Sequence, residues 1–329
     1  MKNLAVTGVE HPAVKVWAAV RMGWGLGAVP VEPLQKRTKG TVYRLIGAGP
    51  SRSDVVAKRS SRERIAREAS AYEVLAELPV SAVHYYGTVP DAGGEDWWLF
   101  VSYAGRDNYS FELPEHRALA ARWLAGLHTS STAAPPAGRV SDRSPGYYLG
   151  QLERGREEIL EHVAHPALDR RDVELLETIV RQCEILASRW REVERICALI
   201  PPAFVHGDFA PKNIRVADDG APRLLAFDWA NGGWGVPAVD LPQPELAPST
   251  YWANPDLEIY LASVASRWPQ LTRNELLANA AVGKMLRSVV CIRLDAVGLA
   301  TDWPHGAMER MHYYQADMRD AFHALRWDP

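Results

Sequence analysis

Residues 203–216 read Ala-Phe-Val-His-Gly-Asp-Phe-Ala-Pro-Lys-Asn-Ile-Arg-Val, and the rest of the chain is organised around them. The pattern predicts a short apolar strand, a polar loop that carries Asp208 and Asn213, and a second short strand. A further apolar run at 224–227 ends directly on Asp228. Because a charge is costly to bury, strands that stop at carboxylates hold the charge at the edge of a cleft instead of in the core. The stretch therefore predicts a functional site that contains carboxylate groups.

The order and spacing of Asp208, Asn213 and Asp228 match those of the polar residues of kinases. In the kinase pattern an Asp accepts the proton of the substrate hydroxyl, while an Asn later in the same loop and an Asp at the end of a later strand bind magnesium. Residues 206–208 read His-Gly-Asp and residues 227–229 read Phe-Asp-Trp. On these residues the chain resembles the aminoglycoside phosphotransferase and choline kinase superfamily, which comprises small-molecule kinases with a protein-kinase-like fold.

The resemblance implies an α+β protein with two lobes, a small antiparallel-sheet N-lobe and a mainly helical C-lobe. It implies ATP (or GTP) and Mg²⁺ as cofactors. It also implies Asp208 as the catalytic base and Asn213 and Asp228 as the metal ligands. The reaction would move the γ-phosphoryl group of the nucleotide to a hydroxyl group of a small molecule.

Two features favour a small-molecule kinase over a protein kinase. Gly207 stands where protein kinases have the Arg that senses a phosphorylated activation loop. Between Asp228 and the Val-Asp-Leu sequence at 239–241 there are only about a dozen residues, which is too short for such a loop.

A second part of the kinase pattern lies upstream. The apolar strand at 55–58 ends on Lys58 and resembles the kinase strand whose lysine holds the α- and β-phosphates. A helix predicted at 61–78 directs Glu68 towards that strand. Glu73 competes as the partner of Lys58, and the resemblance favours Glu68.

Two further upstream segments allow two interpretations each. The strand predicted at 97–103 takes the position of the hinge between the lobes, and its adenine contacts would be made by the backbone of Val101, Ser102 and Tyr103. An ordinary buried strand explains its apolar residues equally well. The basic turn at 35–40 would lie over the nucleotide phosphates, with a solvated turn as the alternative.

Length and composition limit the other function classes. The 329 residues are enough for one two-lobed unit, with an N-terminal helical extension at 1–33, the N-lobe at 34–103 and the C-lobe at 104–329. A net charge of −3 gives no general reason to expect nucleic acid as a partner. No stretch approaches the roughly 18 to 20 apolar residues of a membrane span. Three cysteines without metal-type spacing predict reduced thiols in a cytoplasmic protein. We expect a monomer or a homodimer.

Some polar residues near the pattern are predicted to be structural. In the resembled family, the Asp of a Val-Asp-Leu sequence such as Asp240 stabilises the loop behind the active site. His206 is expected to fix the catalytic loop by hydrogen bonding, and His128 to end a helix rather than to act in catalysis.

The residues leave the acceptor open. We favour a hydroxyl of an aminoglycoside or another sugar-bearing antibiotic, which implies antibiotic resistance; the rings available to stack on a sugar are Trp229, Trp234, Trp252 and Trp303. The alternative is a metabolic kinase of an amino alcohol, an amino sugar or a homoserine-like substrate. A less favoured rival is a metal-dependent phosphohydrolase, with a metal held by His206, Asp208, Asp228 and either His305 or His312. The hydrolase interpretation leaves Lys58 and Glu68 without a role.

Overall fold

The computed structural model of the protein describes residues 6–7, 11–20, 29–37, 40–131, 138–218, 220–243, 252–301 and 304–327. The chain divides into two compact units, which we call unit 1 and unit 2. Unit 1 comprises Met1–Tyr109 and Asn213–Gly232, and unit 2 comprises Ser110–Lys212 and Gly233–Pro329. Unit 1 thus combines the predicted N-lobe with the later segment that carries Asn213 and Asp228.

The predicted α+β class, with an antiparallel sheet and a mainly helical remainder, is confirmed. In chain order the strands and α-helices are β1 (Val6–Thr7), α1 (Pro12–Val20), β2 (Pro30–Arg37), β3 (Gly40–Leu45), β4 (Val55–Ser61), α2 (Arg62–Leu75), β5 (Tyr85–Pro90), β6 (Asp96–Ser102), α3 (Pro114–Ser130), β7 (Asp142–Arg143), α4 (Pro145–His162), α5 (Arg170–Ser188), α6 (Trp190–Cys197), β8 (Ala203–Val205), β9 (Ile214–Asp218), β10 (Pro222–Ala226), β11 (Gly233–Gly235), α7 (Leu257–Val264), α8 (Arg273–Ala296) and α9 (His305–Leu325).

The main sheet of unit 1 has the strand order β1-β2-β3-β4-β6-β5, with antiparallel neighbours throughout. Alternation along β4 buries Val55 and Ala57 on one face of the sheet. Helix α1 packs on that face through Ala13, Val14 and Trp17. Lys58 follows Ala57 in the alternation, so its side chain leaves the strand on the opposite face.

Helix α2 begins directly after β4, and it contacts both this strand and β5. Its buried residues include Ile65, Glu68, Tyr72 and Leu75, which follow the helical spacing of one face. Glu68 therefore lies on the face that packs inward. The helical period thus turns this carboxylate towards the protein interior.

Unit 2 is mainly helical around a small sheet of order β7-β11-β8. A single hydrophobic cluster joins residues of α4, α5, α6, α8 and α9. At Gly283 of α8 an added Cβ would lie 1.8 Å from the carbonyl oxygen of Ala238. Only glycine therefore permits the close packing of α8 against the short 3₁₀ turn Pro237–Asp240. Within the described ranges, no helix combines the length and the apolar character that a membrane crossing requires.

Candidate active site

In unit 1 the structure brings together Lys58, Glu68 and Asp228. The ammonium nitrogen Nζ of Lys58 lies 2.6 Å from Oε2 of Glu68 and 2.7 Å from Oδ1 of Asp228. Burial by itself would lower the pKa of Lys58, but the negative charges of Glu68 and then Asp228 outweigh it and raise the pKa. The lysine is therefore protonated and fixed between two carboxylates. The Glu68 side chain is only 2% exposed, whereas that of Asp228 is 34% exposed.

Asn213 and Asp228 lie at the same end of a two-stranded hairpin. Strands β9 and β10 pair antiparallel with Ile214 opposite Ala226, so the residue before β9 and the residues after β10 are neighbours. The N–H of Phe227 donates to the carbonyl oxygen of Asn213 at 3.0 Å. One amide oxygen and one carboxylate at one hairpin end are hard oxygen donors of the kind that Mg²⁺ accepts, since this ion keeps several waters and shares its other sites with phosphates. The donor set therefore fits magnesium.

The backbone holds Asp228 in an unusual conformation. Its φ of +62° lies in the left-handed region, which few residues other than glycine adopt. The next residue, Trp229, is fully buried and its Nε1–H donates to the carbonyl oxygen of Ala226 at 3.2 Å. The short turn Trp229–Asn231 also packs against α2. This packing holds the Asp228 carboxylate beside Lys58.

In unit 2, Asp208 is bound by two cations. Nη2 of Arg287 lies 2.7 Å from Oδ1 of Asp208, and Nζ of Lys212 lies 3.0 Å from Oδ2. Burial by itself would raise the pKa of Asp208, but Arg287 and then Lys212 outweigh it and lower the pKa. Arg287 comes from α8, is 5% exposed, and has its guanidinium 4.9 Å from the ring centre of Trp252. Asp208 is therefore held as a carboxylate.

The loop before Asp208 is fixed by Asp240. The backbone N–H groups of His206 and Gly207 donate to the two carboxylate oxygens of Asp240 at 2.7 and 2.9 Å. The N–H of Asp208 donates to Nδ1 of His206 at 3.2 Å. His128 lies behind this arrangement, with Nε2 3.5 Å from Asp240. The φ of Gly207 is +69°, which explains the glycine at this position in terms of backbone conformation.

At the predicted hinge, two backbone donors are already used within unit 1. The N–H of Ser102 donates to the carbonyl oxygen of His84 at 2.8 Å, and the N–H of Tyr103 donates to that of Asp54 at 3.0 Å. Val101 is paired in the sheet with Val56 and Tyr85. An adenine contact at this strand end therefore has to use carbonyl oxygens or residues further along the chain.

Some of the remaining predicted residues lie outside the described part of the chain, and the others can be assigned a degree of burial. The tip of the basic turn at 35–40 and Trp303 lie outside the described residues. Of the other tryptophans, Trp229 and Trp252 are core residues, and Trp234 is half-buried.

The described residues do not assemble the metal ligands that the hydrolase rival requires. Within the described residues, no group of three or more His, Cys, Asp or Glu side chains converges as metal ligands do. His312 lies exposed on α9, and the N–H of Asp208 already donates to His206. The described part of the chain therefore supports the kinase interpretation better.

Arg287 was missed by the sequence analysis. The observation that could have identified Arg287 is that a charged residue stands inside the long run of buried positions from Ala280 to Val289 of α8. A charge in such a run needs a partner of opposite sign, but nothing near it in the sequence names Asp208 as that partner.

Comparisons with known proteins identify the family and the fold. The family model described as the APH phosphotransferase enzyme family matches residues 30–278. No curated protein sequence matches the chain.

Three solved structures illustrate the likeness in fold. A spectinomycin phosphotransferase in complex with ADP and spectinomycin is 11% identical, with a TM-score of 0.62, over 96% of this chain and 99% of that chain. The choline kinase of Cryptosporidium parvum Iowa II is 12% identical, with a TM-score of 0.63, over 93% and 95%. A microcompartment-associated aminopropanol kinase is 13% identical, with a TM-score of 0.58, over 95% and 97%. Because the family model covers most of the chain, from residue 30 to residue 278, the protein belongs to the APH phosphotransferase enzyme family and is a small-molecule kinase.

Proposed function

We propose that the protein is an ATP-dependent O-phosphotransferase that moves the γ-phosphoryl group to a hydroxyl of a small molecule. The observation that carries the proposal is the contact of Lys58 with both Glu68 and Asp228, which stand 10 and 170 positions away from it in the sequence. A lysine held between a helix glutamate and a strand-end aspartate is the nucleotide-binding arrangement of kinases.

The residues of unit 1 bind and orient the nucleotide in this proposal. Lys58 contacts the phosphates as a positive point charge, and Glu68 keeps its ammonium group in position. Asn213 and Asp228 hold Mg²⁺, which neutralises the charge of the phosphate oxygens when it is bound. GTP is the second candidate nucleotide.

The Asp208 carboxylate of unit 2 orients the acceptor hydroxyl. A bond forms between the acceptor oxygen and the γ-phosphorus, the bond from this phosphorus to the β–γ bridging oxygen breaks, and ADP leaves. The hydroxyl proton passes to Asp208. Since phosphoryl transfer has a loose transition state, this proton moves late, and a carboxylate of lowered pKa is sufficient as the base.

For the acceptor we propose an aminoglycoside or another sugar-bearing antibiotic, so that phosphorylation confers resistance. The sequence resemblance and the likeness to a spectinomycin phosphotransferase support this choice. The likeness to a choline kinase and an aminopropanol kinase supports an amino alcohol as the second candidate.

The test is a screen for acceptor-dependent conversion of ATP to ADP across aminoglycosides, other antibiotics, sugars and amino alcohols. The Asp208→Asn variant is the control, because it retains the residues proposed for nucleotide binding. We expect at least one acceptor to raise ADP formation by the wild type but not by the variant. In parallel, an amine-modifying reagent should label Lys58 less when Mg²⁺ and ATP are present. Equal labelling of Lys58 with and without nucleotide, and no acceptor that stimulates ADP formation, would contradict the proposal.

A further inference from the structure

Arg64 is a second cation beside Lys58 and Asp228. It lies on α2, one helical turn before Glu68, and therefore on the same side of the helix. Its Nη2 is 3.6 Å from Oδ1 of Asp228, the atom that also contacts Lys58. The Arg64 side chain is 34% exposed, so an incoming ligand can reach it.

The position of Arg64 is unfavourable unless an anion is near. It lies in the first turn of α2, where the unpaired N–H groups and the helix dipole make the surroundings positive. Its neighbours on the helix have other partners. Arg62 lies over the ring of Trp97, and Arg67 pairs with Glu63 at 2.5 Å. Within the described residues, the ion pair of Arg64 is the long one with Asp228, and its charge also acts on Glu68.

The balance of charges at this site is compatible with a bound polyanion. Without ligands, Lys58 and Arg64 balance Glu68 and Asp228. Under the proposed function, Asp228 becomes a ligand of Mg²⁺, and the added divalent cation leaves the group with an excess of positive charge. A guanidinium that shares its carboxylate with a metal ion gains from a new anionic partner, and phosphate oxygens match its planar donor geometry.

We propose that Arg64 is a nucleotide-phosphate-binding residue, which exchanges its long contact with Asp228 for phosphate oxygens when magnesium and nucleotide bind. This assignment rests on the proposed function. It adds to Lys58 a second cation from the same unit, and it gives α2 two roles, to hold Lys58 through Glu68 and to contact the phosphates through Arg64.

The test is calorimetric binding of Mg²⁺ with a non-hydrolysable ATP analogue, which requires no knowledge of the acceptor. The variants are Arg64→Met, Arg64→Lys and, as the matched control on the same helix, Arg67→Met. Arg67 is 40% exposed and bonded to Glu63, so it is similar to Arg64 in exposure but differs in its partner. Adenosine, which has no phosphates, serves as the control ligand.

We expect Arg64→Met to bind the analogue about 10-fold or more weakly, as for the loss of a charged hydrogen bond. Arg64→Lys should lose less, and Arg67→Met should bind like the wild type. Adenosine affinity should be equal in all four proteins. If Arg64→Met binds the analogue as well as Arg67→Met, or weakens adenosine binding to the same extent, the assignment of Arg64 is wrong. If the wild type itself does not bind the analogue, it is the proposed function that fails.

Discussion

The two charged centres of the molecule are built in opposite ways. In unit 1 one cation, Lys58, is shared by the carboxylates of Glu68 and Asp228. In unit 2 one carboxylate, Asp208, is shared by the cations of Lys212 and Arg287. In both, the central group is kept ionised by its two partners against the effect of burial, so the pKa of Lys58 is raised and that of Asp208 is lowered.

The two centres also differ in which of their partners is exposed to solvent. Asp228 is 34% exposed, so under the proposed function it can turn to a metal ion while the buried Glu68 retains Lys58. In unit 2 the exposed partner is Lys212, at 56%, and the buried one is Arg287, at 5%. In the proposed function, Asp228 of unit 1 can therefore leave Lys58 for a metal ion, and phosphates can take its place beside the lysine. In unit 2 the buried Arg287 keeps the carboxylate of Asp208 in one position.

The largest expected effect comes from removing the exposed carboxylate of unit 1. Asp228→Ala should lower turnover about 10³-fold or more, because the metal loses a ligand whose charge stabilisation amounts to several kcal/mol. Calorimetric titration should show weaker binding of Mg²⁺ with a non-hydrolysable nucleotide. Asn213 and Lys58 remain in this variant. Unchanged affinity would mean that Asp228 is purely structural and that unit 1 does not release it to a metal ion.

The second effect comes from the central carboxylate of unit 2. Asp208→Asn should lower kcat about 10²-fold or more, because the acceptor hydroxyl loses its base. It should also lower the melting temperature, because the buried Arg287 loses the carboxylate to which it is bonded, and breaking a buried ion pair costs about 3–5 kcal/mol at the upper limit. The double variant Asp208→Asn/Arg287→Met should recover stability and not activity. Near-normal turnover of the single variant would remove Asp208 from the mechanism.

The third effect tests the central cation of unit 1. Lys58→Met should raise the KM for ATP and lower kcat by about 10-fold or more, as for a lost charged hydrogen bond. Glu68→Gln should act in the same direction more mildly, because the lysine remains but is held less firmly. Steady-state kinetics over a range of ATP concentrations measures both. Wild-type kinetics for Lys58→Met would show that the pair with Glu68 serves folding alone.

The smallest effect concerns the buried cation of unit 2. The pKa of Asp208 is lowered in the folded protein, so the carboxylate that we propose as the base is present above that pKa and is lost as the pH falls through it. Arg287→Lys weakens the pairing and should raise this pKa, so the acid limb of the profile of kcat/KM against pH should move to higher pH. Arg293→Lys, on the same helix, is the control. Superimposable profiles would indicate that Arg287 only supports the packing around Trp252.

Much of unit 1 could be predicted from local patterns. The strand that carries Lys58, the helix after it and the inward face that holds Glu68 follow from periods of two and 3.6 residues along the chain. The same holds for β9, which begins directly after Asn213, and for β10, which ends two residues before Asp228. The predicted end of the earlier strand at Lys58 was wrong, because β4 stays paired with β6 as far as Ser61. The hinge was harder to judge, because hydrogen bonds from Ser102 and Tyr103 to distant carbonyl groups leave no trace in the sequence.

The type of chemistry could be predicted from the order of the residues, because Asp208, Asn213 and Asp228 stand at strand ends and in a loop, and short-range patterns define these elements. The partners of these residues could not be predicted in this way, because they depend on how the chain folds. Arg287 reaches Asp208 across 79 positions, and Arg64 lies 3.6 Å from Asp228 although the two are far apart in the sequence. Hydrophobic periodicity shows that a helix has a buried face, but the element against which that face packs depends on the whole chain. The partner of a buried charge is therefore visible only once the helices are packed.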